Sequence, residues 1–240
     1  MTFAVAGVLF LATFVRSTFG FGEALVAVPL LALVIPVKVA APVAALVSIT
    51  VAAVVVVQDW RHVQIRSAAW LIASTMLGIP LGLMLLTRVP EPAVKALLGL
   101  VIIGFSAQAL RGQPWRLATD SLAWIFGFAA GILGGAYGMN GPPLAVYGSM
   151  RGWTRDQFRA TLQGYFLPAS AVGMFGYWAV GLWTPVVTRF YVTSFPAMVA
   201  AIVAGRMASR AMNARSFVTA VYALLLVVGC VLLLQAMTLL

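Results

Sequence analysis

Ten apolar segments fill most of the chain, at about residues 3–15, 24–37, 39–57, 67–86, 93–110, 121–139, 142–150, 160–187, 190–205 and 216–240. Several reach the roughly 20 residues that a helix needs to cross the hydrocarbon core of a bilayer. Within that core every backbone N–H and C=O must be paired inside the protein, so segments of this length are helices. Of the 240 residues, 63% are hydrophobic and 8% charged, against roughly 25% charged in an ordinary soluble domain. The sequence therefore predicts an all-α polytopic membrane protein, a single transmembrane domain over 1–240. The start, Met1-Thr2-Phe3-Ala4-Val5, has no basic region and no cleavage site, and is expected to belong to the mature fold.

Two interruptions set the organisation. The more pronounced is Gly134-Gly135-Ala136-Tyr137-Gly138-Met139-Asn140-Gly141-Pro142-Pro143, the second in chain order. An echo lies 118 residues earlier, with Phe19-Gly20-Phe21-Gly22 opposite Tyr137-Gly138-Met139-Asn140 and Val26-Ala27-Val28 opposite Leu144-Ala145-Val146. Glycine weakens a helix and a proline pair is tolerated only where one begins, so each break reads as two helix ends meeting. The nine residues 142–150 cover only about 14 Å as a helix, half of a hairpin. Thr154-Arg155-Asp156-Gln157 has the form of a capping box and marks a new helix start, and Pro36 suits the same junction in the first half. The pattern predicts two repeats, 1–112 and 119–240, each a broken hairpin (re-entrant or short) followed by three transmembrane helices. Later parts align at an offset of 123, with Gly82 opposite Gly205.

Basic residues give the sidedness. If each broken element returns to its starting side, the halves are inverted repeats. One side then carries ten (Arg61, Arg66, Arg111, Arg116, Arg151, Arg155, Arg159, Arg206, Arg210, Arg215) and the other four (Lys38, Arg88, Lys95, Arg189). If each crosses once, the split is nine against five. The positive-inside rule prefers the hairpin arrangement, with both termini outside the cytoplasm. Ten complete spans give the same sides. The net charge of +10 sits beside segment ends and forms no patch, which argues against nucleic acid. Trp60, Trp115, Trp153 and Trp183 lie at segment ends, where the headgroup layer suits an amphipathic ring. Arg151, Arg155 and Arg159 fit topology and anionic lipid. His62 reads as solvated, and Cys230 as a lipid- or core-facing packing residue.

Asn140 can cap the helix starting at Gly141-Pro142-Pro143, whose N-terminus carries about half a positive charge and attracts anions. Gly22-Glu23-Ala24 gives a related start. Two half-helix starts meeting near mid-membrane form a transporter substrate site, so Gly20, Phe21, Gly22, Tyr137, Gly138, Met139, Asn140, Gly141 and Pro142 are expected to bind substrate. The alternative is that the glycines serve close helix packing. Arg16 and Glu23 flank the first break, where an ionisable group costs roughly 2.5 to 3.5 kcal/mol. Arg16 is placed to meet an anion, and Glu23 to carry a coupling proton or to hold Arg16; a structural pair or a snorkelling Arg16 is the competing reading. Gln163, Tyr165 and Pro168 are expected to interrupt the segment 160–187, and with Ser48 and Thr50 to line a path or to join helices. One histidine and five acids argue against an enzyme, and no metal or cofactor is expected.

In its size, its duplicated design, Phe19-Gly20-Phe21-Gly22 with Pro29 downstream, and the stretch from Gly134 to Pro143, the sequence resembles the TauE/SafE family of bacterial inner-membrane permeases. The resemblance implies transport of sulfur-containing anions such as sulfite, thiosulfate or organosulfonates. Glu23 stands where it would lead one to expect a small residue. The expectation is a secondary transporter of a small sulfur-containing anion in the inner membrane, with membrane lipid around it. A coupling ion and a homo-oligomer are left open, and the alternatives are an anion channel or a membrane scaffold.

Overall fold

The apolar segments become helices, except that the expected segment 160–187 is divided, one helix ending at Ala179 and the next opening at Pro185. The computed structural model describes residues 2–59, 63–111, 117, 119–211 and 214–238. Among the described residues there are ten helices and no strands: α1 Thr2–Phe19, α2 Glu23–Ala32, α3 Val37–Asp59, α4 Ile65–Arg88, α5 Glu91–Arg111, α6 Ala123–Tyr137, α7 Gly141–Met150, α8 Arg155–Ala179, α9 Pro185–Ala211 and α10 Ala214–Thr238. Trp60, Arg61, His62, Trp115 and Arg116, and the side chains of Arg155, Arg210 and Arg215, lie outside the described residues.

The capping box at Thr154 forms as expected: the Thr154 hydroxyl accepts from the Gln157 N–H at 3.3 Å, and the Gln157 side chain accepts from the Thr154 N–H at 3.1 Å. The expected interruption at Gln163, Tyr165 and Pro168 does not occur. Helix α8 runs unbroken through all three, and the break comes at Gly181, with φ +77°, before Pro185 opens α9. A proline inside a transmembrane helix is tolerated where neighbours satisfy the freed backbone. Reversing the chain needs a left-handed residue, and Gly181 provides it.

Helices α1 to α5 have 18, 10, 23, 24 and 21 residues, and α6 to α10 have 15, 10, 25, 27 and 25. Adding 118 to both bounds of α2 gives those of α7, and adding it to the start of α3 gives the start of α8. The main packing pairs exchange the halves: α1 lies on α9 and α6 on α4, while α3 meets α8 and α5 meets α10. On the α4–α6 pair, Ser74, Gly78 and Gly82 face Gly127, Gly131 and Gly135, a small-residue seam that brings the backbones together. A Cβ on Gly82 would meet Gly135 Cα at 2.9 Å and Ala136 N at 2.7 Å, and would run into the Ile132 carbonyl. A Cβ on Gly205 would meet Ser17 Cβ at 2.6 Å, Phe14 O at 2.9 Å and Thr18 N at 3.3 Å. Phe14, Ser17 and Thr18 precede Ile132, Gly135 and Ala136 by 118 residues. The same contact is therefore made twice.

The outer faces are apolar, and the small and polar residues turn inward beside the apolar core. On α4, Trp70, Met76, Leu77 and Met84 are exposed, whereas Ser74, Thr75 and Gly82 are buried. Such a surface belongs against lipid tails. Five described helices (α1, α3, α4, α5 and α9) are long and apolar enough to cross a bilayer. At ten residues each, α2 and α7 cover about 15 Å, half of the core. Cys230 is exposed on α10, which places it on the lipid-facing side of the two expectations.

Candidate functional site

The two breaks begin alike. Helix α1 ends at Gly20 (φ +88°), whose N–H donates to Arg16 O at 2.6 Å, and α6 ends at Gly138 (φ +64°), whose N–H donates to Gly134 O at 2.8 Å. The Gly138 bond is that of an αL cap, and the Met139 N–H then reaches Leu133 O at 3.2 Å. Gly138 has a second constraint, because a Cβ there would stand 2.6 Å from the Ala41 carbonyl oxygen of α3. The breaks then diverge: Gly22 is left-handed (φ +95°), while Asn140 at the related place is right-handed (φ −80°).

Arg16 comes from the last turn of α1 and does not snorkel to water: it is 3% exposed, beside Glu23 at 2%. Its Nη1 donates to Glu23 Oε2 and, at 2.9 Å, to Ser48 Oγ; its Nη2 donates to Gln163 Oε1 at 2.7 Å. Gln163 Nε2 in turn donates to Gly20 O at 2.6 Å, so one amide ties α8 to both the arginine and the break. The guanidinium lies over the Phe166 ring at 4.9 Å, a cation–π contact. Ser170 Oγ donates to Ser48 Oγ at 3.1 Å. Two buried atoms stay without a partner, Arg16 Nε and Glu23 Oε1.

These side chains line a cavity that encloses about 20 Å³, room for a single water molecule. One wall is Gly22, Glu23, Ala24 and Leu25. The first four N–H groups of any helix lack a partner within it. Because the Val26 N–H bonds Gly22 O at 3.0 Å and no side chain caps α2, these are the four residues carrying its free N–H groups. The opposite wall is Gly138, Asn140, Gly141 and Pro142. Here the start of α7 offers less than expected, since Pro142 and Pro143 have no N–H. Asn140 holds the N-cap position but makes no side-chain cap. A capping residue normally has extended backbone. Asn140 is right-handed, and its side chain lies against Gly134, where a Cβ would collide with it. The glycine-rich stretch thus divides, with Gly131 and Gly135 packing on α4 and Gly134 making room for Asn140.

The other expected residues are spread more widely. Phe21 and Ser48 line the cavity, while Gly20 and Gln163 brace it through their mutual hydrogen bond. Tyr137 points away and donates to Val94 O at 3.0 Å, and Met139 is buried in the main apolar core. Tyr165 meets the Thr75 hydroxyl at 2.5 Å, and Thr50 meets Tyr191 at 2.6 Å and Leu46 O at 3.0 Å. Sequence reasoning missed Phe166 and Ser170. Their spacing from Gln163, three and seven residues, sets all three on one face of α8 and is a readable signal.

A second polar cluster joins Asp120, on the α5–α6 connection, to Ser67 of α4 and to Tyr147 and Arg151 at the end of α7. Asp120 Oδ1 accepts from Tyr147 at 2.6 Å and Ser67 at 2.7 Å and pairs with Arg151 Nε at 3.2 Å, while Arg151 Nη1 donates to Leu117 O at 3.0 Å. Partial burial alone would raise the Asp120 pKa. The bonds from Tyr147 and Ser67 and the charges of Arg151 and Arg66 outweigh it and hold the carboxyl below its usual range.

Buried ionisable groups between two broken helices, in an all-helical bundle with an apolar exterior, define a polytopic membrane protein of the transporter class. The chain belongs to the sulfite exporter TauE/SafE family, whose model matches residues 5–232. No curated protein and no solved structure matches it. Membership makes it a multi-pass transmembrane permease of a family named for sulfite export.

Proposed function

We propose that this chain is a secondary transporter that carries a small sulfur-containing anion, such as sulfite, thiosulfate or an organosulfonate, across the bacterial inner membrane. Transport proceeds by alternating access about the two broken hairpins, with the halves 1–112 and 119–240 as inverted repeats and both termini periplasmic. The observation that carries this reading is the buried Arg16 guanidinium facing the four uncapped residues of the α2 start in one cavity. A guanidinium and a helix N-terminus together offer an anion the partners that lipid lacks. Substrate contacts are assigned to Arg16, Ser48, the N–H groups of Gly22 to Leu25, and the Gly138–Pro142 wall.

The exchanged packing of α1 on α9 and α6 on α4 supports a two-fold relation of the halves. The small size of the cavity, with room for about one water, suits a carrier better than an open channel. The experiment is flux into proteoliposomes. Replacing the pair together, Arg16→Gln with Glu23→Gln, avoids stranding one buried charge. Saturable uptake and counterflow of sulfite, thiosulfate or methanesulfonate are expected in the native protein and should vanish in this variant while its gel-filtration profile is kept. Unchanged uptake by the variant would reject the site.

A further inference from the structure

We propose that the Glu23 carboxylate is the resident anion of this site, and that substrate replaces it on Arg16 while Glu23 takes up a proton, so that a monoanion and one proton cross together. The proposal rests on the transporter reading above. Four observations lead to it.

The ion pair is incomplete as a structural device. A bridge built for stability satisfies both partners, commonly as a two-bond fork. Here Glu23 uses one oxygen, and both Glu23 Oε1 and Arg16 Nε are buried without partners in the same small space. The second break carries no carboxylate at the corresponding place, where its short helix starts with Gly141. Third, Glu23 occupies the spot an anion would take, beside the guanidinium and at the first turn of α2. Finally, the remaining cavity of about 20 Å³ holds one water, so a sulfur oxyanion enters only if the Glu23 side chain yields.

Charge then dictates the stoichiometry. Among the described residues lining the cavity, Arg16 and Glu23 are the charged ones, and together they are neutral. Of the helices packed on α2, α1 contributes Arg16 and α10 contributes Tyr222, which lines a neighbouring apolar pocket. Helices α3, α5 and α7 add no charged side chain to the cavity wall, and Ser48 is the polar group from α3. From α8, Arg159 lays its stem by the Gly20 backbone, outside that wall. An incoming anion that takes Arg16 leaves an ionised Glu23 buried beside a second negative charge, which is strongly unfavourable. If Glu23 instead accepts a proton from the water that enters with the anion, its O–H becomes a donor to the substrate and the site is neutral again. A monoanion fits this balance; a dianion leaves one uncompensated charge. When the site opens to the other side and the anion leaves, Glu23 returns its proton to that water and pairs with Arg16 once more. The substrate class is thus a singly charged sulfonate or hydrogen sulfite.

The test uses native protein in liposomes with a trapped pH dye, methanesulfonate as the monoanion and thiosulfate as the dianion. An acid-outside gradient of one pH unit should drive about tenfold accumulation of methanesulfonate, with one proton entering per anion and no response to a potassium-diffusion potential. Thiosulfate should not accumulate. Glu23→Gln should lose pH-driven accumulation, leaving methanesulfonate at equality across the membrane. Potential-driven flux, anion entry without acidification, or pH-driven accumulation by Glu23→Gln would overturn the proposal and leave the transporter reading standing. Absence of saturable flux for every sulfur anion would overturn both. The stoichiometry is read on native protein, so the test holds even if the variant does not fold.

Discussion

At the scale of single residues, the polar groups that matter here are those that an apolar surrounding makes costly. Arg16 and Glu23 are conspicuous in sequence for that reason, and the structure brings them together with Ser48 and Gln163 in one network. Asn140 shows the opposite case. Its type and position suit a cap, but capping depends on a backbone angle that composition does not reveal, and its right-handed conformation turns the side chain onto Gly134. Asp120 was equally hard to read, since its partners come from two distant parts of the chain, Ser67 from α4 and Tyr147 and Arg151 from the end of α7. It carries a prediction. Its folded pKa is depressed, so its contribution is complete above the ordinary carboxylate range and is lost as pH falls through the depressed value. Asp120→Asn should therefore lower stability by about 1–2 kcal/mol at neutral pH. The difference from the native protein should shrink in acid, as followed by thermal unfolding in detergent; a difference that grows in acid would contradict the assignment.

At the scale of elements, hydrophobic segments and their glycine and proline ends were enough to place the helices. Between α8 and α9 that reading failed, because Gln163, Tyr165 and Pro168 looked like a break, whereas Gly181 makes the turn. Polarity inside a helix is tolerated when another helix receives it, and the receiving partner is invisible in one segment. The glycine seams were half legible. Gly82 and Gly205 stand at matching places in sequence, but only packing reveals that each admits the backbone of another helix, α6 for one and α1 for the other. Replacing either by leucine forces those helices apart. Gly82→Leu and Gly205→Leu should each destabilise by about 3 kcal/mol or more, while Gly7→Ala, where a Cβ meets nothing within 4 Å, should leave the unfolding midpoint unchanged. A neutral Gly205→Leu beside a damaging Gly82→Leu would mean that the two contacts are not equivalent.

At the scale of the whole molecule, helix length and charge bear on the same question from different sides. Ten residues in α2 and in α7 cannot cross a core about 30 Å thick, so both should return to the face from which their hairpin began. On the proposed inverted-repeat topology the basic residues sort ten to four, and the positive-inside rule then expects the α7–α8 connection in the cytoplasm and the α4–α5 and α8–α9 connections in the periplasm. Cys230 is the single cysteine, so Cys230→Ser provides a background for labelling. On that background a cysteine at Gly152 should react with a membrane-impermeant maleimide only after the cytoplasmic face is opened. One at Pro90 or Leu182 should react in intact cells whose outer membrane is permeable. A cysteine at Phe21, in the wall of the cavity, should react slowly from either face and be protected by substrate, as a break at mid-depth requires. Fast reaction of Phe21→Cys from the cytoplasm, with no protection, would place the break at the surface and make α1 and α2 two separate crossings, in which case Arg16 and Glu23 would meet at the membrane edge and alternating access about the breaks would fail.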